Sequence, residues 1–230
     1  MTQRSILAGK NQTIIIKAGG SVTVKGHDSD LVTAETKGMW GLQVEKHDAA
    51  EFARARAAVG ERVLFDLRFK KPNFGEQEKN EEVIEVKFGG NGEVLVPFES
   101  NVKIYGGMNI SVQDVKGEIS GYTGLNLSFQ NVYCVGQASA GGKMDLDCQT
   151  LLGNDVEFKS GWDLRFHIAG LTSAHIRVKD LGGYWEARIG GGEKSVYLKC
   201  GGDVTLVTDQ MVEPLPPDYI LGKIEKPSAV

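Results

Sequence analysis

The sequence predicts a mainly β fold: a β-solenoid-like stack of parallel strands with one short helix in the N-terminal half, an antiparallel β-sandwich being the alternative. Three observations predict it. Apolar and polar residues alternate in short runs, the mark of strands with one buried face. The runs recur in the second half as a degenerate repeat of about twenty residues. Glycines, 30 among 230 residues, arrive mostly in pairs and triplets between the runs, where they punctuate the chain rather than form a linker.

The first hundred residues carry fragments of the pattern. Runs at 14–16, 22–24 and 42–44 read as strands. DAAEFARARAAV (48–59) reads as a helix, alanine-rich, with Asp48 as N-cap and Gly60 as stop. A strand is expected at 63–69 and a polar loop, KKPNFGEQEKNEE, at 70–82. Runs at 83–88 and 94–98 read as a hairpin around 89–92.

From Val102 onward the repeat is regular. One inward series is Met108, Ile110 and Val112, then Leu125, Leu127 and Phe129, then Met144, Leu146 and Cys148. It continues with Leu164, Phe166 and Ile168, with Trp185, Ala187 and Ile189, and with Val204 and Leu206. A second series interleaves with it: Ile119, Val135, Val156 with Phe158, Ala174 to Val178, and Val196 to Cys200. Two strands per step, joined at glycine corners such as Gly106-Gly107, Gly141-Gly142 and Gly201-Gly202, suit a coil that turns where glycine takes positive φ cheaply. Counterpart strands would then stack in parallel from turn to turn. The tail from Glu213, with Pro214, Pro216 and Pro217, is expected to leave the strand ladder, since proline donates no backbone hydrogen bond. The organisation is a β-rich region at 1–100, a repeat-built solenoid at 101–212 and a Pro-rich tail at 213–230, which together could form one domain.

Composition narrows the function classes. Hydrophobic residues at 41%, charged residues at 24% and a net charge of −4 describe an ordinary globular chain without the dense basic face that phosphate backbones require. Nucleic acid is not an expected partner. The opening MTQRSILAGKNQT lacks the apolar region of a secretory leader, and no stretch approaches the length of a membrane span. Three cysteines without metal-ligand spacing agree with a cytoplasmic location.

The stretch VPFESNVKIYGGMNISVQDVKGEISGYTGLNLSF (96–129), with the glycine-broken strands after it, resembles bacterial adhesin-like domains of β-solenoid type over about residues 94–210. A more distant likeness is to bactofilins, cytoskeletal solenoids that polymerise end to end; the irregular N-terminal portion and its helix depart from them. Neither family has a catalytic motif to carry over, so the resemblance implies scaffold, adhesion or assembly roles.

Candidate chemistry is sparse. His27, His47, His167 and His175 include no helical metal pair. His167 and His175 fall at outward positions on consecutive strands, where a shared surface is conceivable. Asp145 and Asp147 point to one side of a strand, and Arg165 and His167 are expected beside them on the next turn as charge partners. Cys148 and Cys200 belong to the core, and Cys134 has no local histidine to activate it. GGGEKS (190–195) is a turn before a strand, not a phosphate loop. Trp162, Tyr184 and Trp185 could form an aromatic surface, with Trp185 read as core. No catalytic, cofactor-binding or metal residue is assigned, and no cofactor is expected. The expected function is a non-catalytic structural protein that self-assembles into an oligomer or filament, because the apolar run at 14–16 would sit near an unguarded end. The alternative is a partner- or carbohydrate-binding adhesin-like module. An enzyme acting on polysaccharide through Asp145 and Asp147 ranks last.

Overall fold

The computed structural model describes residues 2–9, 12–36, 41–51, 82–215, 223–225 and 227. The chain is mainly β. Its strands are β1 (Thr2–Leu7), β2 (Thr13–Ala18), β3 (Val22–His27), β4 (Leu31–Thr36), β5 (Gln43–Asp48), β6 (Glu82–Phe88), β7 (Gly92–Pro97), β8 (Asn101–Gly106), β9 (Ile110–Gln113) and β10 (Glu118–Thr123). There follow β11 (Leu127–Ala140), β12 (Met144–Leu151), β13 (Asp155–Ser160), β14 (Leu164–Ile168), β15 (Ala174–Asp180), β16 (Gly183–Ile189), β17 (Lys194–Cys200), β18 (Val204–Val207), β19 (Val212–Leu215) and β20 (Lys223–Glu225).

Most of these strands fall into two parallel series. The first runs β6, β2, β8, β10, the second half of β11, β13, β17, β15. The second runs β7, β3, β9, the first half of β11, β12, β14, β18, β20. Apart from register shifts within β10–β11 and β11–β12 the pairing is continuous, so inward side chains line up in columns. Ile16, Ile104 and Gly121 are successive partners in the first series, and Val24, Val112, Phe129, Leu146 and Phe166 are successive partners in the second. The columns compensate in volume. A Cβ on Gly121 would lie 2.8 Å from the Phe129 ring, so a void in one series is filled by an aromatic from the other, as dense packing requires. The parallel ladder crosses residue 100, since Ile14 pairs with Val102.

The corners explain the glycines differently from the expectation. Among the described glycines only Gly153, Gly183, Gly190 and Gly192 have positive φ. Gly19, Gly107, Gly124, Gly141, Gly161 and Gly201 are needed for space instead. A Cβ on each would meet the carbonyl oxygen of the preceding corner glycine, at 1.9 Å for Gly161 over Gly141 and 2.2 Å for Gly141 over Gly124. Coils stacked this closely tolerate no side chain at that point.

The ends break the repeat. β4 runs antiparallel to β7 and carries β1, while β5 runs antiparallel to β6. At the other end β16 is antiparallel to β15 and carries β19. At both ends the order along the stack also leaves the sequence order: β2 and β3 lie between β6 and β7 on one side and β8 and β9 on the other, and β17 lies between β13 and β15.

Several expectations are corrected here. The hairpin around 89–92 does not form: β6 pairs with β2 and β5, β7 with β3 and β4, and the turn is a corner between the two series. A type I′ hairpin needs positive φ at both central residues, and neither Asn91 nor Gly92 has it. The run at 14–16 is not an unguarded end: it lies in β2, second in its series, paired with β6 on one side and β8 on the other. Met108 and Leu125 are not inward; both are exposed at corners. Pro214 lies within β19, tolerated because β19 pairs only with β16 among the described strands and forms an outer edge. Residues 49–51 are helical, and Asp48 caps them by accepting a hydrogen bond from the Glu51 amide at 2.9 Å. The rest of the expected helix (52–59), the strand at 63–69 and the loop at 70–81 lie outside the described residues.

Candidate functional site

The two series meet at a corner whose sequence is nearly the same in seven coils. In stacking order these are KFGGNGEV (87–94), KAGGSVTV (17–24), YGGMNISV (105–112), YTGLNLSF (122–129), SAGGKMDL (139–146), KSGWDLRF (159–166) and KCGGDVTL (199–206). Each carries a lysine, tyrosine or serine, the close-stacked glycine two residues later, a variable residue and then a polar one. In-register stacking turns each position into a column along the corner.

The variable position faces solvent. Its column runs Gly90, Gly20, Met108, Leu125, Gly142, Trp162, Gly202 and Leu181, each amide from Gly20 onward donating to the carbonyl before it at 2.7–3.2 Å. At Gly20, Gly142 and Gly202 a Cβ would lie 2.3–2.6 Å from Oδ1 of Asn91, Asn126 and Asp163, and the residues other than glycine in the column are apolar. Trp162 stands 65% exposed between Gly142 and Gly202, while Met108 and Leu125 form an adjacent pair near 45%. Trp162 is thus an exposed indole whose two neighbours in the column, Gly142 and Gly202, carry no side chain.

The polar position is held by hydrogen bonds from coil to coil. The Ser21 amide donates to Asn91 Oδ1, the Asn126 side chain donates to Asn109 Oδ1 at 3.0 Å, and the Lys143 amide donates to Asn126 Oδ1 at 2.9 Å. Lys143 Nζ lies 3.0 Å from Asp163 Oδ2. The Lys143 contact, helped by the Asp203 amide, holds the Asp163 carboxyl below the usual range. A shallow depression beside this column is lined by Asn126, Ser128, Lys143, Asp145, Asp163 and Arg165. Lys143 and Arg165 face it with Asp145 and Asp163, and Leu127 and Met144 complete its lining.

On the other side of the corner, at the motif's first position, Tyr105 and Tyr122 stack with centroids 5.4 Å apart. Tyr122 donates to Gln137 Oε1 at 2.7 Å, and burial, with Tyr105 beside it, pushes its phenol up to about 12. Farther along, Lys159, Lys199 and Lys179 are direct partners across β13, β17 and β15.

The residues singled out from sequence are distributed as follows. Asp145 lies opposite Arg165 and Asp147 opposite His167, with contacts of 3.7 Å and 2.8 Å, so the expected charge pairing is present. Burial raises the Asp145 carboxyl, partly offset by Arg165. His167 and His175 share no surface, because β14 belongs to one series and β15 to the other; His175 instead meets Glu186 at 2.6 Å. His27 bonds the Leu31 carbonyl, and His47 lies 3.6 Å from Glu85. Cys148 and Cys200 are buried, and burial raises their thiols to about 12 and about 11; Cys134 is also raised by burial. Residues 190–193 are a turn leading into β17, which begins at Lys194, with positive φ at Gly190 and Gly192. Trp185 is core, its indole donating to Asp180 Oδ2 at 3.0 Å. Tyr184 is exposed on β16 and hydrogen-bonds Glu186, apart from Trp162.

Sequence reasoning missed the corner as a unit. Its signal was present: the lysine or tyrosine two residues before a glycine, with an Asn, Asp, Ser or Lys two residues after it, occurs at 17–21 and 87–91 as well as in the second half.

No family model matches the chain, and no curated protein matches it. A solved structure described as a "putative cell adhesion protein" from Clostridium sporogenes aligns with 98% of this chain and 99% of its own, at 8% identity and a TM-score of 0.35. No helix among the described residues is long and apolar enough to cross a membrane.

Proposed function

We propose that this chain is a non-catalytic, β-solenoid-like scaffold that binds carbohydrate along the corner centred on Trp162. The observation that carries the reading is the exposed Trp162 indole, bracketed in its column by Gly142 and Gly202, with the next column over lined by the polar groups of Asn126, Lys143 and Asp163. An aromatic face attracts the weakly positive C–H face of a pyranose ring, and a rim of carboxylate, amide and cationic groups suits the hydroxyls at the ring's edge. Parallel coils favour the solenoid description over the sandwich, because a sandwich is built from antiparallel hairpins and Greek keys.

The test is affinity electrophoresis of the full chain through gels containing individual polysaccharides. Retardation by at least one polysaccharide, lost in Trp162→Ala with the circular dichroism melt unchanged, supports the reading. Absence of retardation across acidic and neutral polysaccharides alike removes it.

Self-association into an oligomer or filament is the second reading. What favours it is that β1, β5, β19 and β20 each pair on one side only among the described strands. It ranks lower because those edges carry Arg4, Glu45, Lys46, Asp48 and Pro214, the kinds of residue that blunt edge-to-edge pairing. A concentration-dependent rise in sedimentation coefficient would promote it.

A further inference from the structure

The corner's basic side carries an inference that rests on the carbohydrate reading and sharpens it: we infer that the ligand is an acidic polysaccharide, laid along the stack with its anionic groups over Lys159, Lys199 and Lys179. These lysines come from three strands out of sequence order, yet the registers Lys159–Lys199 and Lys179–Lys199 place them in one row. Neighbouring strands are spaced by about 4.8 Å, so the row is an array of positive charge with a repeat comparable to one monosaccharide in an extended chain. Like charges directly opposite one another across strands are unfavourable. Lys159 contacts Glu157 at 2.8 Å, but no carboxylate among the described residues forms an ion pair with Lys199 or Lys179, both exposed. The whole chain has a net charge of −4, so the row is not a by-product of general basicity. It is a local field that a polyanion would neutralise.

Trp162 ties the row to a sugar rather than to another polyanion. It follows Lys159 by three residues across the corner glycine, and on its far side Asp163 and Asp203 stand in the polar column. A nucleic acid strand gains its stability from successive stacking platforms; here Trp162 is the one aromatic in its column, between two glycines. An acidic sugar presents its charge on one edge and hydroxyls on the other, which matches lysines on one flank of the indole and carboxylates on the other.

The probes are polygalacturonate, alginate and hyaluronan as acidic chains, methyl-esterified polygalacturonate and dextran as neutral ones, and oligo-dT as the nucleic acid. Affinity electrophoresis and fluorescence titration of the full chain are expected to show binding to at least one acidic polysaccharide. Exchanging Lys159, Lys199 and Lys179 together for Gln should weaken it about tenfold, as three exposed charge contacts allow, and raised salt should weaken the wild type in the same direction. Trp162→Ala should abolish binding. Equal binding of neutral and acidic chains, or full retention in the Gln variant, overturns the acidic-ligand inference and leaves the carbohydrate reading standing. Binding of oligo-dT as tight as that of any polysaccharide overturns the inference, and no binding to any polysaccharide overturns both.

Discussion

The interior coils and the two ends of this protein solve the same packing problem in opposite ways. From β8 to β14 each strand lies parallel to its counterpart one coil away, in register except for shifts within β10–β11 and β11–β12, with apolar columns inside and a close-stacked glycine at the corner. At the ends the chain reverses: β4 and β5, and then β16 and β19, run antiparallel to their neighbours. A parallel stack cannot finish on itself, because every terminal coil leaves one row of backbone donors and acceptors without a partner. Antiparallel strands drawn from outside the repeat absorb that row at both ends of the first series and at the β7 end of the second, whose other end is the parallel strand β20. Repetition therefore builds the body, and departure from repetition closes it.

If the ends are structural closures rather than appendages, their anchors should matter as much as the interior core. Phe166, buried in the middle of the stack, and Trp185, buried at the C-terminal end, should each cost about 3–5 kcal/mol when changed to Ala. Urea denaturation followed by circular dichroism measures both. A loss under about 1 kcal/mol for Trp185→Ala, well below the usual range for a buried aromatic, would mean that the cap unfolds independently of the body.

The corner glycines sharpen the contrast between close approach and backbone conformation. Gly161→Ala places a methyl group 1.9 Å from the Gly141 carbonyl oxygen, against backbone that cannot rotate away, and should cost about 1–3 kcal/mol through forced separation of two coils. Gly153 has open space around it but φ +81°. Its change to Ala should cost about 1 kcal/mol from the left-handed conformation alone. The same denaturation series distinguishes them, and a reversed order would mean that the corner opens easily.

The same contrast decides what was legible in the sequence. Alternation located β12, β14 and β17 in the right phase, because a period of two survives any arrangement of neighbours. It failed at Met108 and Leu125, where the chain turns at the corner and the parity of the strand no longer applies. The glycine clusters marked the right places for the wrong reason, since the distance to the next coil is invisible in one chain. At the C-terminal end alternation placed Trp185, Ala187 and Ile189 inward correctly, but a period of two does not tell antiparallel from parallel pairing, and the exchange of order between β15 and β17 hid the Lys159, Lys199 and Lys179 row entirely. Trp162 was noticed, but its setting between Gly142 and Gly202 depends on residues 20 to 40 positions apart being brought together by stacking.

Glu85 gives the mildest test, at the N-terminal end. Its carboxyl is buried, 3% exposed, with Lys87 at 2.5 Å and Lys17 at 3.0 Å. Burial raises its pKa, but hydrogen bonds from Lys87 and Lys17 outweigh burial and set it below the ordinary value of 4.5. A carboxyl whose folded pKa is depressed stabilises the fold fully above the unfolded value and loses that contribution as pH falls through the folded one. Glu85→Gln should therefore cost about 1 kcal/mol at neutral pH, the scale of a charge-assisted contact whose cations remain half solvated, and the difference from wild type should shrink below pH 4.5. Asp163, also depressed but exposed, should show a smaller acid dependence that salt removes. Melting curves from pH 7 to pH 3 at two ionic strengths distinguish the two carboxylates, and a wild-type difference at Glu85 that grows on acidification would contradict the pairing described here.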